Sequence, residues 1–191
     1  MQRKIILASK SPRRKKLLKG LKLAFKVHPS AYEEAKNHET PEKTAQMHAI
    51  MKARDVAQHY KDAIIIGVDT IGAYKNKVIG KPKNHEEAKE MLKFLNGSTH
   101  QVISGLCVID TKTNKEFSNT TTTEVTFEKM TNKEMNDYLA SGEGEDKAAS
   151  YAIQGLGALF VREIKGDYFN VVGLPVNTLY RLLKKLEISI L

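Results

Sequence analysis

The chain has one cysteine, Cys107, and no tryptophan, and its aromatic content is only 7%. A single cysteine excludes an internal disulfide and a thiolate zinc site. Cys107 lies between Leu106 and Val108 with no adjacent base, so it reads as a core residue rather than a nucleophile. Without tryptophan, and with Tyr and Phe scattered, there is no aromatic platform for single-stranded nucleic acid. No apolar run approaches a membrane span, and the first is short and followed by charge, unlike a secretory signal. His28, His38, His48, His59, His85 and His100 show no zinc-ligand pairing. No Gly-x-Ser-x-Gly elbow is present. Gly80-Lys81-Pro82 lacks the first glycine of a P-loop and has proline where Ser or Thr must bind magnesium. Gly155-Leu156-Gly157 is too short for a dinucleotide fingerprint. These absences fit a cytoplasmic protein.

The chain does carry a net charge of +9 over 191 residues. That favours a polyanionic partner, either nucleic acid or a small phosphate-rich ligand. The lysines are spread rather than gathered in a tail, and many sit beside glutamate, as in Glu86-Glu87-Ala88-Lys89-Glu90. Most of the charge therefore reads as solvated surface. The length suits one domain spanning 1–191, and no repeat, linker or composition shift divides it.

Ile5-Ile6-Leu7-Ala8-Ser9-Lys10-Ser11-Pro12-Arg13-Arg14 predicts a short buried strand, a tight turn and a helix start. Ser11 suits the N-cap and Pro12 the first helical position. Free N–H groups and the positive end of the helix dipole favour an anion there. Ser9 and Ser11 add hydroxyl donors, and Arg13 and Arg14 add forks that match phosphate oxygens. An ordinary capped helix with solvated arginines accounts for the same residues.

Farther along, the helix runs from Pro12 to about Lys19 with Gly20 as its C-cap, and Leu23 to Val27 predicts a strand. Thr40-Pro41 opens a second helix whose inner face carries Ala45, Ala49, Ala53, Val56 and Ala57. Lys52, beside Ala53, points either into a site or to solvent. Ala63 to Thr70 is a β-branched run without alternation, so it predicts a strand buried on both faces and ending at Asp69. In open α/β sheets ligands gather at strand carboxyl ends, although Asp is also a common turn residue. Val78-Ile79 follows a short turn. Asn84 caps a helix to Leu95, closed by Gly97. Gln101 to Ile109 and Thr120 to Phe127 predict strands, the second with one wet face. Thr131 to Glu134 is a capping box for a helix through Leu139, and a loop spans Ser141 to Asp146. Leu159 to Ile164 predicts a strand and Val176 to Leu186 an amphipathic helix. The class is α/β or mixed α+β.

The remaining chemistry is of a phosphate type: arginines at a helix start, carboxylates at Glu33, Glu34 and Asp69, and lysines at 52 and 81. Carboxylates with phosphates hold magnesium, cations neutralise a transferring group, and an ionised Asp can deprotonate water. These residues are far apart in sequence, and each alone reads equally as surface or structure.

Read together, the motifs resemble the Maf family of nucleoside triphosphate pyrophosphatases along nearly the whole chain. The resemblance rests on Ser9-Lys10-Ser11-Pro12-Arg13-Arg14 with Leu17-Leu18, Glu33-Glu34, and Ala49, Lys52, Ala53 and Val56. It continues through Gly67-Val68-Asp69-Thr70, Gly80-Lys81-Pro82, His100-Gln101-Val102 and Gly105. Asp146-Lys147-Ala148, Tyr151, Ile153-Gln154-Gly155, Gly166-Asp167-Tyr168 and Gly173-Leu174-Pro175 complete it. Ala149, Ser150 and Ala152 depart from the family's usual Gly, Ala and Gly, which bears on the base pocket.

The resemblance implies an elongated mixed sheet flanked by helices, in two lobes with a central cleft, like inosine triphosphate pyrophosphatases. It implies hydrolysis of nucleoside triphosphates to the monophosphate and pyrophosphate with a divalent cation, Mg or Mn. Asp69 would accept the proton of water attacking the α-phosphorus. Glu33 would hold the metal with Asp69, Glu34 being a weaker candidate. Arg14, Lys52 and Lys81 would bind the triphosphate, and Ser9 would donate to it. Arg13, Thr70 and Gln154 match positions of the subfamily that takes dTTP and UTP. The amide of Gln154 offers a donor and an acceptor, as a pyrimidine edge requires. A link to cell-division arrest and a homodimer are further family associations, with no stable nucleic-acid partner and no membrane. The competing classes are a nucleotide sensor of septum formation without turnover and a basic nucleic-acid-binding protein.

Overall fold

The computed structural model describes residues 3–34, 39–145 and 147–190; His38 and Asp146 lie outside them. Seven strands form one mixed sheet in the order β2-β1-β3-β5-β6-β7, with β4 beside β3. The strands are β1 (Ile5–Leu7), β2 (Phe25–Val27), β3 (Ile64–Tyr74), β4 (Lys77–Ile79), β5 (Thr99–Asp110), β6 (Lys115–Phe127) and β7 (Val161–Lys165). β1 runs parallel to both β2 and β3, whereas the β3–β5, β5–β6 and β6–β7 pairs are antiparallel. The helices are α1 (Pro12–Gly20), α2 (Pro41–Ala57), α3 (His85–Leu95), α4 (Asn132–Ala140), α5 (Tyr168–Val172) and α6 (Val176–Lys185). No described helix is long and apolar enough to cross a membrane.

The expected caps are in place. The side chains of Ser11, Thr40, Asn84 and Thr131 accept from N–H groups three residues on, and Thr131 with Glu134 completes a capping box. The ends of elements differ more. Gly20 is the last helical residue rather than the cap: Leu21 donates to Leu17 and Leu18, and the left-handed residue is Lys22 at φ 54°. β2 starts two residues later than its apolar pattern suggests. β3 continues four residues past Thr70, because a two-residue turn with Lys75 and Asn76 at positive φ folds it back on β4. β6 begins at Lys115 rather than Thr120, since it pairs with β5 along that strand's full length. Leu156–Phe160 forms a 3₁₀ turn, so β7 begins only at Val161. The short α5 carried no readable signal: five residues are too few for helical periodicity.

Helix α2 packs on one sheet face through its small residues. Ala45, Ala49 and Ala53 are fully buried there, and Gly67 and Gly105 lie beneath them. A Cβ at Gly105 would stand 2.0 Å from the Ala45 carbonyl oxygen, and one at Gly67 2.3 Å from that of Ala49. Both glycines exist for this close approach. The opposite face is covered by α1 and α6, where Leu18, Leu179, Leu182 and Leu183 pack on Ile5, Leu7, Ile64, Ile66 and Val68. A separate core joins the far halves of β5 and β6 to α3 and α4 through Leu92, Leu95, Val125, Phe127, Met135 and Tyr138. Cys107 is fully buried, and burial pushes its thiol up to about 12, which makes it unreactive.

Candidate active site

Asp69 lies inside β3 opposite Gly105, not at the strand's end as the sequence suggests. What ends nearby is β1. Its pairing with β3 stops at Leu7–Ile66, after which Ala8 donates a last hydrogen bond to Ile66. The chain then turns away through Ser9–Ser11 into α1. The crevice typical of α/β sheets opens where this parallel neighbour departs.

Arg14 closes one side of the crevice. Its Nε donates to the Gly173 carbonyl at 2.9 Å, Nη1 to Ser9 Oγ at 3.0 Å and Nη2 to Thr70 Oγ1 at 3.1 Å. One guanidinium thus ties the turn after β1, strand β3 and the turn before α6. Ser9 Oγ also accepts from the Ser11 N–H, which leaves its own proton for an acceptor in the cavity. The Thr70 hydroxyl is shared among Arg14, Ser104 Oγ at 2.8 Å and the Gly173 carbonyl at 3.4 Å. Burial lowers the pKa of Arg14, while Asp69 and Glu34 push it back up. Burial also lowers that of Arg13. Two partly desolvated guanidinium groups that make no ion pair with a described carboxylate favour an anion between them.

The carboxylate end is held by α2. Lys52 Nζ stands 2.6 Å from Asp69 Oδ1 and 2.7 Å from Glu34 Oε1. Asp69 Oδ2 faces His48 Nδ1 at 3.4 Å, an ion-pair distance rather than an aligned hydrogen bond. Asp69 is only 4% exposed. Burial alone would raise its pKa, but His48, Lys52 and Arg14 outweigh that and hold the carboxyl at about 2. It is therefore an anion at any physiological pH. The same contact raises the pKa of His48. Glu34, His48 and Asp69 bring one ligand atom each to within 4.8 Å of one another.

A cavity of about 980 Å³ joins these groups to a second row of cations. Ser9, Arg13, Arg14, Lys52, Asp69, Thr70, Lys81 and Gln154, all expected from the sequence, line it. Glu33 does not: it is exposed and stands outside the lining, whereas Glu34 is part of it. Three features were not read from the sequence. His48 precedes Lys52 by four residues, so helical spacing alone places both on one face of α2. Lys147 lines the cavity, with its pKa lowered by burial and by Arg13 and Lys81. The third is the strained backbone of one cavity wall, with Ala149 and Ser150 both at φ 60°.

A mixed sheet whose departing parallel strand exposes one buried anion to a ring of cations defines an α/β protein built to hold a polyanion. Its family is known: residues 4–186 match the model described as Maf-like protein, and the chain belongs to that family. A relative from Ruminiclostridium cellulolyticum called dTTP/UTP pyrophosphatase is 45% identical over 191 residues, covering 99% of each chain. One of the same name from Methanosarcina barkeri is 45% identical, covering 98% of this chain and 96% of its own. Among solved structures, the Staphylococcus aureus Ham1 protein shares the fold at TM-score 0.53 and 14% identity, covering 95% of this chain and 98% of its own.

Proposed function

We propose that the protein hydrolyses nucleoside triphosphates, with dTTP and UTP foremost and related modified pyrimidine nucleotides behind them, to the monophosphate and pyrophosphate. The carrying observation is the juxtaposition of one buried, ionised carboxylate with Lys52 in a cavity ringed by Arg13, Arg14, Lys81 and Lys147. Six cations (Lys10, Arg13, Arg14, Lys52, Lys81 and Lys147) against two carboxylates (Glu34 and Asp69) suit a triphosphate better than a neutral ligand. The pyrimidine preference rests on Arg13, Thr70 and Gln154 and on the names that the relatives carry.

Asp69 orients the attacking water and takes its proton as the α-phosphorus is attacked. At about 2 its carboxyl is a weak base. The triphosphate corrects this by drawing Lys52 toward its own oxygens and adding negative charge beside Asp69, which raises its basicity. Ser9 donates its remaining hydroxyl proton to a phosphate oxygen. Arg13, Lys81 and Lys147 hold the departing pyrophosphate, and Arg14 keeps Ser9 and Thr70 in register. The residues present fit a hard divalent cation such as Mg or Mn: Asp69 Oδ2 accepts no hydrogen bond from the described residues, and the Glu34 carboxylate and His48 ring stand beside it. Asp69 and Glu34 would hold the cation, with His48 at their side; bound there, it supplies charge neutralisation to the triphosphate.

The test is pyrophosphate release from dTTP, UTP, CTP, GTP and their modified forms, with magnesium or manganese and with chelator. Cation-dependent release led by dTTP and UTP is expected. Release led by a purine nucleotide overturns the base assignment, and no release from folded protein overturns hydrolysis.

A further inference from the structure

One wall of the cavity is made by the segment 147–154, of which every residue but Ser150 lines it. This wall belongs to no regular strand. It contains a short 3₁₀ turn, Ala148–Ser150, with Ala149 and Ser150 in the left-handed region, and it ends at Gly155 with φ 122°. A segment so shaped keeps one conformation only if something outside it holds it.

The holders come from α4 and the turn after it. Glu143 Oε2 accepts from the Leu156 N–H at 2.9 Å, and Oε1 accepts from the Gly157 N–H, also at 2.9 Å. Tyr138 Oη donates to Glu143 Oε1 at 3.3 Å and accepts from the Ala152 N–H at 3.2 Å. Gln154 therefore sits on a bridge pinned at 152 on one side and at 156 and 157 on the other. The pin also serves the 3₁₀ turn Leu156–Phe160, which has no side-chain cap of its own and receives the Glu143 carboxylate instead. Gly155 is shaped to the pin: a Cβ there would lie 2.2 Å from Glu143 Oε2. Tyr138 is itself fixed, 3% exposed and edge-on to Phe160 at 5.4 Å. At the other end, the Ala149 N–H donates to the Gly80 carbonyl, next to Lys81.

We infer that Glu143, with Tyr138, is the positioning residue of the base-recognition wall: it sets where the Gln154 amide meets the nucleobase. Neither residue lines the cavity. The pin thus acts on selectivity through the backbone of 152–157; Ser9, Arg13, Arg14, Lys52 and Lys81 lie on other segments, and Lys147, on the same wall, lies five residues before its first pinned position, Ala152. The inference rests on the proposed nucleotide hydrolysis.

Glu143→Gln keeps size and shape, but its amide NH₂ cannot accept from the second backbone N–H. Tyr138→Phe keeps the packed ring and removes only the hydroxyl. Both are to be compared with the unaltered protein by hydrogen exchange at 152–157, by KM and kcat for dTTP and CTP, and by the inhibition constant of inorganic tripolyphosphate. Tripolyphosphate reports the phosphate end without a base. Faster exchange at Leu156 and Gly157 is expected in Glu143→Gln. KM for dTTP should rise about tenfold, and the preference for dTTP over CTP should shrink by a similar factor, in line with one lost polar contact to a charged acceptor. Tripolyphosphate inhibition should stay within twofold. Tyr138→Phe should show the same pattern, weaker. Unchanged exchange, an unchanged preference, or equal loss of tripolyphosphate and nucleotide binding would each overturn the inference. Absence of turnover with every nucleotide in the unaltered protein would instead strike the hydrolytic reading, while the exchange result still judges the pin.

Discussion

The two walls of the cavity are built differently. The phosphate wall stands on regular structure: Ser9 and Arg14 where β1 passes into α1, Asp69 and Thr70 inside β3, Lys52 on α2. Its side chains hold one another through Arg14 and Lys52, and its backbone is unstrained. The base wall hangs between elements and carries two adjacent left-handed non-glycine residues, Ala149 and Ser150. Each such residue costs about 1–2 kcal/mol. The contrast suggests a division of labour. On the proposed reading, most of the chemistry common to all triphosphates is placed on a rigid frame, and the base contact of Gln154 is left to a segment that can be reshaped without disturbing that frame.

The sharpest way to break this division is to remove chemistry from the rigid wall without moving it. Asp69→Asn keeps the shape but discards the anion. Turnover should fall by about 10³-fold, within the range expected for a general base, with the melting curve still cooperative. Retention of full activity would remove Asp69 from its role. Next in size is damage to the frame itself. Gly105→Ala drives a methyl to 2.0 Å from the Ala45 carbonyl, and helix α2 must lift, taking Lys52 and His48 with it. We expect a loss of roughly 3 kcal/mol or more, visible in the denaturant midpoint, with activity lost even at temperatures where the variant remains folded. Should Gly105→Ala be stable but inactive, α2 would be a lever on the site more than a support of the core.

The phosphate wall was also the more legible one in the sequence. Ser11-Pro12 after an apolar run announces a strand–turn–helix with its free N–H groups, and the β-branched Ala63–Thr70 run announces the central strand, because both signals are local. The convergence of Lys52 on Asp69 was not readable, since it depends on Gly67 and Gly105 letting α2 approach the sheet. The choice of Glu34 over Glu33 for the cavity was hidden for a similar reason: neither residue lies in a helix or strand whose period could assign its face, and only the tertiary path decides which one lines the cavity. The base wall was barely legible. Positive φ at Ala149 and Ser150 contradicts their local preference, and the hydrogen bonds that Glu143 accepts from the N–H groups of 156 and 157 span too long a separation to leave a periodic trace.

Acid should separate the two walls. His100 is 1% exposed, with Nε2 2.9 Å from the hydroxyl of Tyr151 behind the base wall. Burial lowers its pKa from 6.5 to about 4. The unfolded chain therefore takes up a proton below 6.5 that the folded one refuses until about 4. Stability from this group is complete above 6.5 and is lost as pH falls toward 4, by roughly 3 kcal/mol. Asp69 behaves differently: its contribution is complete above 3.8 and goes only as pH falls toward 2. His100→Gln should flatten the fall in stability between pH 6.5 and 4 relative to the unaltered protein in paired denaturant titrations. Parallel slopes would mean that His100 is not the acid-sensitive group, and that the base wall is no weaker in acid than the frame.

The smallest expected effect lies at the tip of the base wall. Gln154 is exposed, and its Nε2 reaches Tyr168 Oη only at 3.5 Å. A solvated amide competes with water for the nucleobase, so its contribution to selection stays far below that of a buried pair. Gln154→Leu removes both the donor and the acceptor. KM for dTTP and UTP should rise by up to about tenfold, equivalent to about 1.4 kcal/mol, with kcat unchanged, because the contact is the same in the ground and transition states. Tripolyphosphate inhibition should not move. A fall in kcat of several hundredfold would mean that base contact organises the reacting phosphate, and the two walls would then form one cooperative unit instead of a frame and a selector.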